Sequence, residues 1–161
     1  MRFLVIDGAL NHSGWVFLVD NGGLGWEGVV ASKYGRIATR PTESLGFKLT
    51  NLRKEIAKLI KGLRPEFVIL EETYAGTNAL TTSRLNNAKG VITQVIYELL
   101  GRDPIMVRIN EARSCLGFVY TKGEDRKRQP YEFFSKMYNL SESFEAGNDI
   151  TDAYTLGWEV S

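Results

Sequence analysis

The sequence predicts an α/β fold: a five-stranded mixed sheet, its first three strands antiparallel, with helices on both faces. Three observations carry this. Short apolar runs separated by glycine-containing turns open the chain. Two long segments with apolar residues at steps of three and four follow, and further apolar runs return between and after them. The order is βββαβαβ with two or three closing helices, and it places helices against a mixed sheet.

The first strand is Arg2 to Asp7, with Gly8 to Gly14 as a turn into a second strand over Trp15 to Val19. Asn21-Gly22-Gly23 tolerates positive φ and suits a tight turn, after which Leu24 to Ala31 alternates as a third strand. Three strands in sequence form an antiparallel meander. From Glu43 to Leu63, the residues Leu45, Leu49, Leu52, Ile56, Leu59 and Leu63 fall on one helical stripe, closed by Gly62 and Pro65. Phe67 to Leu70 is a continuous apolar run, as a central strand buried on both faces requires, and it ends on Glu71 and Glu72.

Thr81 to Leu100 reads as a second long helix, with Leu85, Ala88, Val91, Ile92, Val95 and Leu99 inward and Gly101 at its end. Pro104 to Ile109 returns as a strand, and Asn110 caps a short helix through Leu116 that Gly117 closes. The polar stretch Thr121 to Gln129 reads as an exposed loop, and Pro130 in a first turn starts a helix through Tyr138. Asn148 serves as N-cap for a last helix, Asp149 to Glu159.

With 161 residues, 43% of them hydrophobic, the chain fits one domain spanning 1–161. A formal net charge of +1 and 24% charged residues describe an ordinary globular protein and neither demand nor exclude nucleic acid. Cys115 is the single cysteine and His12 the single histidine, which excludes an intramolecular disulfide and any Cys/His zinc site. A reducing cytoplasm is the expected compartment. The run Phe3-Leu4-Val5-Ile6 is too short for a signal core or a membrane span.

Asp7 and Glu71 each end a strand that is otherwise apolar, where a carboxylate is costly unless paired or metal-bound. If the two strands are neighbours, both acids emerge at one end of the sheet and their convergence calls for a cation. Asp149 and Asp152 are three apart, on one side of the first turn of the last helix. Four carboxylates suit Mg²⁺ or Mn²⁺, and two such ions about 4 Å apart activate water and stabilise the leaving oxygen of a phosphodiester. Acids at strand ends and in first helical turns also act as turn formers and dipole partners, a role that fits Asp149 taken alone. Asp152 shares a face with apolar positions and is harder to explain that way.

Several stretches carry a resemblance. Phe3-Leu4-Val5-Ile6-Asp7 followed by Ser13-Gly14-Trp15 resembles the opening of RuvC-type Holliday-junction resolvases. Phe67-Val68-Ile69-Leu70-Glu71-Glu72-Thr73-Tyr74 looks like that family's second motif, whose first acid is a metal ligand. Asn78 through Gly90 is similar to the helix that follows. Asn148-Asp149-Ile150-Thr151-Asp152-Ala153 looks like the closing motif. The match is collinear over nearly the whole chain. It implies an RNase H-like fold and a metal-dependent endonuclease of recombination and repair that cuts four-way and other branched DNA as a homodimer. Asp7, Glu71, Asp149 and Asp152 would be its metal ligands and two Mg²⁺ its ions, with Mn²⁺ able to substitute. Gly8 stands where family members usually carry proline, a departure that bears on the loop beside the metals. Glu72 remains an alternative to Glu71, and the compact length suits a phage member.

Arg113, Lys122, Arg126, Lys127 and Arg128 outnumber Glu124 and Asp125 in the loop region, which makes it either a phosphate contact or a solvated surface. The family places a lysine near the scissile phosphate, and Lys127 matches it, with Arg128 one residue away as the alternative. Tyr74 matches an aromatic that stacks on junction bases, worth roughly 1 to 3 kcal/mol per base, unless it packs in the core. Arg84, Asn86, Asn87 and Lys89 are further backbone-contact candidates. Two other classes stay in view. A junction-binding module without catalysis is open to any nuclease fold that loses a ligand. An actin-like or sugar-kinase-like phosphate binder opens similarly, but needs a second lobe that 161 residues do not supply.

Overall fold

The computed structural model describes residues 1–22, 28–72, 79–118, 125–138 and 143–158. Strand β1 (Arg2–Asp7) pairs antiparallel with β2 (His12–Asp20), which pairs antiparallel with β3 (Val29–Ala38), as the meander requires. Helix α1 (Leu45–Leu63) leads to β4 (Phe67–Glu71), and α2 (Ala79–Leu100) leads to β5 (Ile105–Val107). Then come α3 (Ile109–Cys115), α4 (Arg128–Tyr138) and α5 (Phe144–Trp158). The sheet order is β3-β2-β1-β4-β5, with β4 parallel to both β1 and β5.

Side chains alternate across a strand, so the central strands feed two separate cores. Leu4, Ile6, Phe17, Val68 and Leu70 meet Leu52, Ile56 and Ile60 of α1 and Ala88, Ile92, Val95 and Ile96 of α2. On the opposite face, Phe3, Val5, Val16, Leu18 and Ile69 meet Phe134 of α4 and Ile150, Ala153, Tyr154 and Leu156 of α5. The sheet is therefore covered on both faces, as expected.

Several boundaries differ from the sequence reading. Strand β2 begins at His12, ahead of Trp15, and β3 extends to Ala38 instead of closing at Ala31. A register shift opposite Phe17 and Leu18 breaks the alternation there, and the outer edge of β3 leaves Ser32, Lys33 and Arg36 partly or fully open to water, which hides the strand. Residues 23–27, the start of the predicted third strand, lie outside the described residues.

In α1 the buried row is Lys48, Leu52, Ile56 and Ile60, while Leu45 is exposed. Lys48 turns inward because its ammonium donates to Asn11 Oδ1 at 2.8 Å and to the Pro41 carbonyl at 3.1 Å. The helix starts at Ser44, whose hydroxyl accepts from the Phe47 N–H, and it ends at Arg64 in the left-handed region (φ 50°), not at Gly62. In α2 the inward row takes Lys89 and Ile96 and leaves Leu99 exposed. Gly101 (φ 67°) and Gly117 (φ 74°) stop α2 and α3 as predicted. Asn110 lies inside α3, however, with Arg108 at the N-cap and no side-chain cap bond.

Helix α5 carries the largest correction. It begins at Phe144, so Asn148 is interior and Asp149 and Asp152 lie beyond the first turn, where the helix dipole no longer accounts for them. Its two buried threonines satisfy their hydroxyls within the helix: Thr151 donates to the Asn148 carbonyl at 3.0 Å and Thr155 to the Thr151 carbonyl at 2.8 Å. Helix α4 docks on α5 through stacked rings, with Tyr138 and Tyr154 centroids 4.5 Å apart and Phe134 and Tyr154 5.4 Å apart.

The approach of α5 to β2 depends on Gly14. A Cβ there would collide with the Asp149 carbonyl, a backbone atom that cannot step aside as a side chain would. Gly14→Ala is expected to destabilise the protein by about 1–3 kcal/mol, the cost of overpacking. Thermal unfolding should fall by about 2–4 °C per kcal/mol.

Candidate active site

The site follows from register and alternation. Ile6 pairs with Leu70, so the next residues, Asp7 and Glu71, close two adjacent parallel strands at the same end. Asp7 continues the row of Phe3 and Val5, and Glu71 that of Phe67 and Ile69, so both carboxylates turn to the face covered by α5. That helix brings Asp149 and Asp152, held close by the bare backbone of Gly14.

Four protein cations meet these acids. Arg113 Nη2 donates to Asp152 Oδ1 at 2.5 Å in a buried pair. Lys127 Nζ lies 3.0 Å from Asp152 Oδ2 and 3.6 Å from Asp149 Oδ1, and donates to Asn148 Oδ1 at 3.3 Å. Arg36 Nη2 holds Asp149 Oδ2 at 3.1 Å. Lys89 Nζ donates to the Glu71 carbonyl at 2.5 Å and sits 3.5 Å from Glu71 Oε2. Asp7 has Glu71 as its hydrogen-bonding neighbour.

The electrostatics follow from this crowding. Burial pushes the Asp7 carboxyl well above its ordinary range; the charges of Glu71 and Asp152 raise it further, while Lys127 opposes them. For Lys127, burial works against the charge, but Asp152, Asp7 and Asp149 outweigh it and hold the ammonium above its ordinary pKa.

Local structure fixes Lys127. Its N–H donates to Asp125 Oδ1 at 2.9 Å in an Asx turn, and its carbonyl accepts from the Tyr131 N–H at 3.1 Å in the first turn of α4. The aromatic stack between α4 and α5 thereby places this lysine over Asp149 and Asp152. Arg128, the alternative, faces away to Glu132 at 3.0 Å, and Arg126 is exposed. Glu72 pairs with Arg108 at 2.7 Å on the surface, apart from Asp7.

Two of the anticipated nucleic-acid contacts fall elsewhere. Lys89 and Arg113 are buried against Glu71 and Asp152, so they neutralise the acids and present no charge to a passing strand. Arg84, Asn86 and Asn87 are exposed near the start of α2. Arg84 lines a cleft of about 490 Å³ with Leu10, His12, Lys48, Leu85 and Asp149, the one site acid on its wall. Tyr74 and Lys122 lie outside the described residues. Sequence reading missed Arg36, because β3 was ended at Ala31 and because the register shift opposite Phe17 and Leu18, which the sequence does not reveal, is what brings Arg36 opposite Gly14.

Among the described residues, no three His, Cys, Asp or Glu side chains are already closed into a metal shell. The donors nonetheless fit a hard divalent cation, being all oxygen and arranged so that Asp7 experiences two like charges. Ser13 Oγ, donating to the Ala9 carbonyl at 2.6 Å and accepting from its N–H at 3.0 Å, ties down the loop after Asp7 where the glycine departure lies.

No family model matches the chain. It is 30% identical over 128 residues to the crossover junction endodeoxyribonuclease RuvC of Chlamydia felis, covering 78% of this chain and 73% of that protein. To the protein of the same name from Rickettsia conorii it is 32% identical over 99 residues, 60% of this chain and 59% of the other. Among solved structures, it resembles Thermus thermophilus RuvC bound to a Holliday junction substrate, with a TM-score of 0.77 at 16% identity, covering 98% and 91% of the two chains. The fowlpox virus resolvase bound to Holliday junction DNA matches with a TM-score of 0.60 at 14% identity, covering 99% and 96%. These structural likenesses show a shared RNase H-like fold.

A raised acid pKa has a definite sign for stability. Asp7 binds its proton more tightly when folded, so its contribution is favourable below the unfolded pKa and is lost as pH rises through the folded one. At neutral pH and without divalent metal, Asp7→Asn should therefore melt higher than wild type. Thermal melts across pH check it, and the gap should close in acid.

Proposed function

The chain belongs to the RuvC family of crossover junction endodeoxyribonucleases, and from that membership we propose that it resolves four-way DNA junctions by divalent-metal-dependent phosphodiester hydrolysis. The observation that carries the chemistry is the convergence of Asp7 and Glu71, from adjacent strands, with Asp149 and Asp152 of α5. We read 1–161 as one nuclease domain.

Asp7, Glu71, Asp149 and Asp152 are the groups that would hold the metal, Mg²⁺ with Mn²⁺ able to replace it, and two ions per site match the number of acids. Bound there, such ions supply a nucleophile from water at neutral pH and stabilise charge on the leaving oxygen. The chain's own residues do the rest. Asp152 is oriented by Arg113, Glu71 is anchored by Lys89, and the β1–β4 register fixes the separation of Asp7 from Glu71.

Lys127, a half-buried ammonium kept protonated by its acidic neighbours, is the group we assign to the extra negative charge of the phosphate in the transition state. We assign Arg84, which lines the cleft beside Asp149, together with the exposed Asn86, Asn87, Arg126 and Arg128, to backbone contacts with the substrate strand. Tyr74, three residues beyond Glu71, is read as the aromatic that stacks on bases at the crossover, and Lys122 as a further phosphate contact. A two-fold junction is cut symmetrically by a two-fold enzyme, so a homodimer is the form expected to act. Among the described residues, no helix is long and apolar enough to cross a membrane.

Two substitutions test this. With a synthetic four-way junction and Mg²⁺, Asp7→Asn should lower cleavage by at least about a hundredfold, the upper end of what losing a mere outer-shell partner costs, while junction binding persists. Unchanged cleavage would sink the assignment. Lys127→Met should lower kcat by about 10²–10³ with little change in KM, as removal of a transition-state contact does.

A further inference from the structure

We propose that Arg36 is a positioning residue of this site, which holds Asp149 Oδ2 so that Oδ1 is presented to the metal; this rests on the metal-nuclease reading above. Three observations carry it. Arg36 lies opposite Gly14 in the β2–β3 pairing, and cross-strand partners share a face, so its side chain projects toward α5. Gly14 carries no side chain to block the way, and the Asp149 backbone packs directly on it. The guanidinium therefore reaches Asp149 Oδ2 at 3.1 Å while Lys127 stands 3.6 Å from Oδ1, so each oxygen has one cation and the rotamer is defined from both sides.

The pair is more than a surface ion pair. The side chains of Arg36 and Asp149 are only 26% and 15% exposed. Arg36 Nε is buried without a hydrogen-bond partner among the described residues, a local cost that calls for an explanation outside simple stability. Arg36 also enters from the edge strand, whereas Lys89, Arg113 and Lys127 come from α2, α3 and the start of α4. It is the one of the four cations that ties the meander to the carboxylate of α5.

Arg36→Met and Arg36→Lys are compared with wild type in two measurements: Mn²⁺ binding to the DNA-free protein by calorimetry or electron paramagnetic resonance, and the Mn²⁺ dependence of four-way junction cleavage. Positioning predicts about tenfold weaker Mn²⁺ binding in Arg36→Met, the range typical of groups that orient metal ligands. Junction KM should stay unchanged, cleavage should recover at saturating Mn²⁺, and Arg36→Lys should keep part of the affinity. Circular dichroism checks folding; if Arg36→Met does not fold, an intermediate loss of Mn²⁺ affinity in Arg36→Lys carries the same prediction. Unchanged Mn²⁺ binding in a folded variant overturns the proposal. So does tighter binding, which would mean that Arg36 only competes with the metal for Asp149. A raised junction KM with unaltered Mn²⁺ binding also overturns it, making Arg36 a DNA contact. Wild type that binds no Mn²⁺ overturns the metal reading itself, a separate result.

Discussion

Mutual repulsion among Asp7, Glu71, Asp149 and Asp152 is the constraint around which the protein is arranged. Asp7 experiences it most, since burial and the charges of Glu71 and Asp152 all favour its protonated form. In a low-dielectric setting like charges separate or take up protons unless cations intervene. Four cations from four different elements do intervene, and each acid other than Asp7 touches at least one. The fold is stable enough to carry this cluster because two apolar layers flank the sheet on which it sits.

The rest of the architecture serves that meeting point. Parallel pairing of β1 with β4 sends two strand ends the same way, which an antiparallel pair would not. Gly14 lets α5 descend onto β2, bringing Asp149 to the sheet. The Phe134, Tyr138 and Tyr154 stack fastens α4 to α5, and the turn at Asp125 then delivers Lys127. Aromatic packing between α4 and α5 thus sets the position of the cation that faces the acids.

Much of this was legible in the sequence, for identifiable reasons. Apolar runs ending in Asp7 and Glu71 stand out because burial on both faces admits few carboxylates, and the three-residue spacing of Asp149 and Asp152 survives any shift in helix start. Lys127 was found by family resemblance, not by charge, since Arg126 and Arg128 beside it look the same in composition. The misses share a cause. Lys48, Lys89 and Arg113 are charged residues that bury, and each does so only because a tertiary partner waits: Asn11, Glu71 and Asp152. Nothing local announces such partners. Arg36 was hidden in the same way, on an edge strand whose alternation a bulge interrupts. The late start assigned to α5 came from treating Asn148 as a cap, a preference that the packing of Phe144 and Ile150 against neighbouring rings and core overrides.

The most direct measurement is the proton count that accompanies divalent metal binding. Mg²⁺ is titrated calorimetrically into the DNA-free protein at mildly acidic pH, in buffers of different ionisation heat. If the crowded acids form the metal site, binding favours the ionised form of Asp7 that burial and Glu71 disfavour, and the apparent heat will vary with buffer in the direction of proton release. Binding with no proton release, or no Mg²⁺ binding by a folded protein, would contradict it.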